Sequence, residues 1–281
     1  MPFKIRIKEH SFMEKSKLIE MIEKNPYALS FIDTPTDEMK MVAIKKNGLT
    51  LQYIHQPTRE MQEAAINNNP RAIQFVSSPT EAMMIKAIDA GWNNLEYLKD
   101  PPEALLKLAL KQAGWAIKYV NNPSEELQLL AVEKNYDSIK FIKKPLPSVQ
   151  EAAVRISYDA LRYIHSPAPH VALIAIKNNE QAIRLINDLD KNKLLEFLKV
   201  NILVIKYLKK EIEISPNELC QLLAEVLSKE DVEEKYVRDF LNCSMIDKAS
   251  DIVSLDKLMF IYQHGSKKAK KIAVDEKLKL K

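Results

Sequence analysis

Glycine is nearly absent from this chain: four occur among 281 residues, Gly48, Gly91, Gly114 and Gly265, scattered far apart. No glycine-rich phosphate loop or dinucleotide fingerprint can be assembled from them, which sets nucleotide-fold enzymes aside. Cysteine is scarce too. Cys220 and Cys243 form neither a CxxC pair nor a metal-spaced cluster, so they read as small apolar core side chains in a reducing compartment. No apolar run approaches the roughly 18 residues that a spanning helix requires, and no start segment couples a basic region to an apolar stretch as a leader does. These absences predict a soluble, cytoplasmic protein with no membrane partner. The net charge of +4 is small for the length and does not by itself call for nucleic acid.

What the chain does have is a period. Seven prolines stand 22 residues apart, at Pro35, Pro57, Pro79, Pro101, Pro123, Pro145 and Pro167, and each is followed eight positions later by alanine, from Ala43 and Ala65 to Ala175. A fixed period of this size means one small unit copied and stacked, with the core a strip and not a ball. Numbering each unit from its proline as position 1, apolar residues at positions 5, 8, 9 and 10 (Met61, Ala64, Ala65, Ile66) make positions 2 to 12 an amphipathic helix. Runs such as Ser78-Pro79-Thr80-Glu81, Asn122-Pro123-Ser124-Glu125 and Asp100-Pro101-Pro102-Glu103 predict that this helix starts at the proline, behind a capping residue and with glutamate in a capping box. The alanine at position 9 marks the closest approach of two helix axes.

Position 13 is asparagine in five copies read here, Asn25, Asn47, Asn69, Asn135 and Asn179, and departs from it at Gly91, Ala113 and Ser157. It predicts a break and a new cap, followed over positions 14 to 20 by a second, two-turn helix with apolar residues at 17 and 20 and an aromatic at 19. The expected fold is therefore all-α: an α-solenoid of nine tandem 22-residue helix pairs over residues 13–210. Residues 1–12 form an N-terminal cap segment, MPFKIRIKEHSF, and residues 211–281 a helical C-terminal cap with a basic tail. Within that cap Ser215-Pro216-Asn217-Glu218 reads as a capping box, and Asp231 and Ser254 as caps of two further helices. The tail from Ser266 carries seven lysines and reads as a solvated, frayed end.

The unit P-[ST]-x-E-x-Q-x-x-A-[VI]-x-x-N-x-x-A-I-x-[YF]-[IV], as in Pro57–Val76 and Pro123–Ile142, resembles a family of short leucine- and alanine-rich helical repeats seen in bacteriophage, giant-virus and bacterial hypothetical proteins. It is more distantly similar to HEAT-like solenoids. The resemblance covers residues 13–210 and rests on structural positions, so it implies architecture and carries no catalytic residue. It also implies a phage or mobile-element origin, with a host protein such as a defence component as target.

In a solenoid one repeat position forms a ladder along one face. Position 18 reads Ser30, Gln52, Gln74, Glu96, Lys118, Lys140, Arg162, Arg184 and Lys206, basic in its last five members. Treated as an α-helix, the second helix puts position 14 one turn before position 18 on the same outward face. That adds Tyr136 before Lys140 and Tyr158 before Arg162, with Trp92 and Trp115 near the middle of the same edge. These nine residues, Trp92, Trp115, Lys118, Tyr136, Lys140, Tyr158, Arg162, Arg184 and Lys206, are the candidate binding set. Position 7 alternates apolar with charged side chains, from Met41 and Glu63 to Leu173, and reads mainly as core. His55 and His165 share position 21 but lie five layers apart, and His165 with His170 offers two ligands at most, so no metal is expected. No Ser, His and Asp grouping has a local signature. The expectation is a non-enzymatic module without cofactor that presents its surface to a protein partner. The alternative is nucleic-acid or polyanion binding along the basic ladder.

Overall fold

The computed structural model describes residues 12–208, 214–250 and 253–279; the expected N-terminal cap segment, apart from its last residue, and residues 209–213 lie outside them. The chain divides into two compact units, Met1–Ile142 and Lys143–Lys281. In the first, α-helices α1 (Phe12–Lys24), α2 (Asp37–Lys46), α3 (Arg59–Asn68), α4 (Glu81–Ala90), α5 (Glu103–Gln112) and α6 (Glu125–Lys134) alternate with six-residue 3₁₀ helices. These are η1 (Pro26–Phe31), η2 (Gly48–Tyr53), η3 (Pro70–Phe75), η4 (Trp92–Tyr97), η5 (Gly114–Tyr119) and η6 (Tyr136–Phe141). The second unit continues the alternation with α7 (Pro147–Ile156), η7 (Tyr158–Tyr163), α8 (Pro169–Asn178), η8 (Glu180–Leu185), α9 (Lys191–Val200) and η9 (Ile202–Tyr207). Within each unit successive helices pack on their neighbours, α2 on α3 and η2 on η3, α7 on α8 and η7 on η8. The fold is an all-α solenoid.

Its core follows the lattice. The position 9 alanines Ala43, Ala65, Ala87, Ala109, Ala131, Ala153 and Ala175 are all 0% exposed, and position 10 beside them is filled by fully buried Ile44, Ile66, Ile88, Leu110, Val132, Val154 and Ile176. Each such aliphatic side chain contributes about 1.5–3 kcal/mol on burial. Position 7 is not core: Met41, Lys107, Leu129, Glu151 and Leu173 are half-buried and Glu63 and Ile85 exposed.

The helix starts differ from expectation by two residues. The cap is position 2, one residue past the proline. The side chains of Thr36, Thr58, Thr80, Ser124 and Asp190 accept from the backbone amides of Met39, Met61, Met83, Leu127 and Lys193. The amide so capped belongs to position 5, so Glu81 and Glu125 stand at the first helical residue, where they favour the helix dipole but form no box. Ser78, Asp100 and Asn122 therefore do not cap. Asp100 and Asn122 instead turn the chain in the left-handed region, at φ 48° each, as do Gln56 at 52° and Asp188 at 51°. The recurring glutamine at position 6 has a role that the pattern did not disclose: Gln62, Gln128 and Gln150 donate through Nε2 to the carbonyls of Pro57, Pro123 and Pro145. It ties each helix back onto the turn that leads into it.

Position 13 serves two helices at once. The Asn47 amide donates to the Ala43 carbonyl at 2.8 Å and closes α2, while its side chain accepts from Leu49 and opens η2. Asn25, Asn69, Asn179, Asn201 and Ser157 cap the same way. Gly91 and Ala113 supply no side-chain cap, and Asn135 accepts instead from the Gly114 amide of the preceding repeat.

The repeats of the second unit run into α10 (Pro216–Leu227) and α11 (Glu234–Asn242), a two-residue parallel pair β1 (Ile246–Asp247) and β2 (Val253–Ser254), then α12 (Lys257–His264) and α13 (Lys267–Lys279). Ser215 and Glu218 form the expected capping box at α10. Asp231 and Ser254 do not cap: Glu233 precedes α11, and Asp256 caps α12 through the Met259 amide. As far as Lys279 the basic tail is not frayed but folds as α13 against α11 and α12. Its small and apolar Ala269, Ile272 and Ala273 are buried, while Lys267, Lys268, Lys270 and Lys271 face outward. Alternation of period 3.6 within the lysine run drives that docking. The Tyr236 hydroxyl donates to the Leu198 carbonyl of α9 at 3.0 Å, and burial pushes its phenol pKa far up. Cys243 is buried and Cys220 only half so, and both are free thiols.

Candidate functional site

The candidate ladder lies on the 3₁₀ helices, and their geometry rearranges it. A 3₁₀ helix turns in three residues, so side chains at i and i+3 eclipse. Position 15, not 14, therefore stands over position 18. In η6 the Lys140 Nζ sits 2.7 Å from Asp137 Oδ2, and in η7 the Arg162 Nε lies 2.9 Å from Asp159 Oδ1. Tyr136 and Tyr158, expected to share the outward face with Lys140 and Arg162, are half-buried and offset from them. This is a correction with a definite cause: the expectation used a helical period of 3.6 where the backbone follows 3.

In the first unit the ladder builds a connected surface across η4, η5 and η6. Lys118 Nζ lies 5.5 Å from the Trp92 ring centroid and 4.5 Å from that of Tyr119, while Lys140 Nζ lies 5.9 Å from Trp115 and 5.1 Å from Phe141. Each lysine thus bridges an aromatic face of the preceding repeat and one of its own. The Trp115 indole N–H donates to Asp137 Oδ1 at 2.8 Å, and the Tyr119 hydroxyl meets Glu96 at 3.3 Å. Burial raises the Asp137 carboxyl pKa, but hydrogen bonds from Lys140 and Trp115 together outweigh it and hold the group below the ordinary carboxylate value. Further along the 3₁₀ helices of this unit, Tyr27, Phe31, Tyr53 and Phe141 are exposed large side chains, and Trp115 is 39% exposed. Trp92 is half-buried.

The second unit carries the remaining cations. Arg184 stacks over the Tyr207 ring, 4.9 Å from its centroid, and Lys206 Nζ lies 4.0 Å from Glu180. The hydrogen bond to Asp159, with its charge, raises the Arg162 pKa above its usual value. All five cations of the ladder are thus held by a carboxylate, a ring or both. The acidic and aromatic partners Asp137, Asp159, Glu180, Glu96, Tyr119 and Tyr207 were missed from sequence, and the signal for the first two was present: aspartate three residues before the cation.

Among the described residues no group of three or more His, Cys, Asp or Glu could hold a metal ion. His170 Nε2 lies 3.6 Å from Glu151 Oε2. Burial raises the Cys220 thiol pKa, the wrong direction for a nucleophile. Among the described residues no helix is long and apolar enough to cross a membrane. No protein-family model, curated protein or solved structure matches the chain.

Proposed function

We propose that this chain is a non-enzymatic binding module for a protein partner, with the surface of η4, η5 and η6 as its contact face. The observation that carries the reading is the row of aromatic rings with lysines clamped over them, Trp92 with Lys118 and Trp115 with Lys140. Tryptophan and tyrosine fixed by neighbours offer large contact area at little entropic cost, and such residues dominate the energetics of protein interfaces. The paired state of the cations favours a protein over a phosphate backbone. A polyanion site gains from unneutralised charge and released counterions, whereas Asp137, Asp159 and Glu180 already offset part of the charge here. The resemblance to phage and giant-virus repeats makes a host protein the partner class to test.

The test is capture of a partner from the native host, its identification by mass spectrometry, and calorimetric titration of the purified pair. Replacing Trp92 and Trp115 by alanine together should weaken binding at least tenfold, about 1.4 kcal/mol. Wild-type affinity in the double variant would overturn the assignment of the face, and retention of the protein on heparin at physiological salt would favour the polyanion reading instead.

A further inference from the structure

The lysines of α13 differ from the ladder cations in having no carboxylate. The helix carries six lysines against Asp275 and Glu276, and Glu276 is taken by Arg238 of α11. Lys267, Lys268, Lys270, Lys271 and Lys277 are exposed, and among the described residues no ion pair holds any of them. Lys270 meets a ring: its Nζ lies 5.7 Å from the centroid of Tyr262 on α12.

Exposed apolar side chains stand among these lysines. Tyr262, Leu278 and Val274 are the three most exposed large apolar or aromatic side chains of the described residues, at 72%, 62% and 58%. Met259 and Leu258 lie exposed one turn before Tyr262. The helix period sets this placement. α13 buries Ala269, Ile272 and Ala273, so Lys267, Lys271, Val274 and Leu278 fall in one line on the opposite side, with Lys270 and Lys277 along its edge. On α12 Phe260 and Ile261 are buried, and Met259 and Tyr262 point the other way. A helix that faces water fills its outermost line with polar residues; here two adjoining helices fill theirs with aliphatic, aromatic and lysine side chains together.

We propose that this face of α12 and α13 docks on an anionic phospholipid surface. Met259, Tyr262, Val274 and Leu278 enter the boundary between headgroups and acyl chains, and the lysines pair with the lipid anions. The contact uses none of the ladder residues and stands whether or not these bind a protein. Charge and shape choose the occupant. A second copy would set the same lysines against one another. A nucleic acid would use the lysines and leave the aliphatic side chains in water. A protein would have to desolvate lysines interleaved with its apolar anchors, and the buried centre of protein interfaces is depleted of lysine. A headgroup layer takes both kinds, because lysine stems lie along the apolar boundary while their ammonium groups stay among the phosphates. Such a contact needs no spanning helix, so the expectation of no membrane partner, drawn from the lack of a long apolar run, does not bear on it.

The experiment is sedimentation of the full chain with vesicles of phosphatidylcholine alone and of equal parts phosphatidylcholine and phosphatidylserine. Binding is expected to the second only, with loss at about 1 M salt, where charges are screened beyond about 3 Å. Val274→Ser with Leu278→Ser should weaken it by about tenfold or more, and so should Lys267→Glu with Lys271→Glu, because stable attachment takes both signals. All four side chains are exposed, so Tm should hold in both variants. Lys45→Glu with Lys111→Glu makes the same change of net charge on α2 and α5 and should bind as wild type does. Equal binding to the two vesicles, binding to neither, or wild-type binding by the serine pair would overturn the inference. If vesicles fail, three further readouts say what the face serves instead: duplex DNA retained by wild type and serine pair alike, a dimer that the serine pair dissolves, or a captured protein whose affinity the serine pair lowers.

Discussion

A Cβ placed on Gly48 would stand 2.2 Å from the carbonyl oxygen of Ala65. The start of one 3₁₀ helix therefore presses directly on the backbone of the next α-helix, at the position where alanine also keeps the side chain short. Gly114 stands in the same relation to Ala131, at 2.1 Å. Backbone cannot yield as a flexible side chain does, so Gly48→Ala should overpack the contact and destabilise by about 1–3 kcal/mol. At Gly91 the nearest obstacle is the Asn93 side chain and the backbone is extended, at φ 169°. Gly91→Ala should change stability by under about 0.5 kcal/mol. Thermal melts of the two variants check this, and equal Tm values would reject the close approach.

The same packing is tested from the other side at Ala109, which is 0% exposed. Ala109→Leu should cost about 1–3 kcal/mol by overpacking, while Lys111→Leu on the exposed side of the same helix should stay within about 0.5 kcal/mol. Urea unfolding midpoints for the pair provide the measurement.

The stacking of the repeats was legible because its cause is local and repeated: the alanine of position 9 and the aliphatic of position 10 recur in one register, and packing has no other use for them. The helix starts were misplaced because Pro79 and Thr80 both satisfy the rules for a helix beginning. Only the hydrogen bond from Met83 to the Thr80 hydroxyl separates them. The site was half legible. Lys118, Lys140 and Arg162 stand out at one repeat position, but which residue faces them depends on whether the backbone turns every 3.6 residues or every 3. A six-residue segment such as YDSIKF holds too few turns to show its period. The docked tail was missed because its seven lysines masked Ala269, Ile272 and Ala273, which alone decide its burial.

Gln56 holds φ at 52° in the turn before Pro57, a region that costs an L-residue about 1–2 kcal/mol. Its side chain is exposed, so the backbone decides the effect of substitution. Gln56→Gly and Gln56→Asn should each stabilise, by about 0.5–1 kcal/mol after the entropy of a freer unfolded chain is set against the relieved strain. Gln56→Val should destabilise, since β-branched residues avoid this region. The order of the three Tm values is the readout.

Glu218 carries a pH dependence of known sign. The Lys191 ammonium at 2.7 Å, then the Ser215 amide and hydroxyl, lower its carboxyl pKa from 4.5 to about 2. In the unfolded chain this group protonates as pH falls through 4.5, whereas in the folded chain it stays charged until about 2. Its stabilising contribution is therefore complete above pH 4.5 and is lost as pH falls toward 2. Other carboxylates titrate in the same window, so the measurement is a difference. Glu218→Gln should lower Tm at pH 7, and the gap to wild type should narrow between pH 4.5 and 2.

Charge reversal separates the two uses of the ladder cations. In the first unit, Lys118→Glu with Lys140→Glu removes both ammonium groups from the rings of Trp92 and Trp115 and sets new carboxylates beside Glu96 and Asp137. Melting temperature should hardly move, because exposed charges contribute little to folding. Partner association should slow several-fold in low salt, with the difference fading as salt screens it within a few ångströms at about 1 M. Reversal of Lys45 and Lys111, which lie exposed on α2 and α5 of the same unit, should leave association unchanged and control for net charge. Arg162→Glu with Arg184→Glu repeats the test in the second unit and reports whether that unit contributes on its own. Stopped-flow association rates at low and high salt decide the matter: equal rates for wild type and both reversed pairs would mean that the cations serve only to hold the rings, and would leave Trp92, Trp115 and the exposed tyrosines as the whole of the contact.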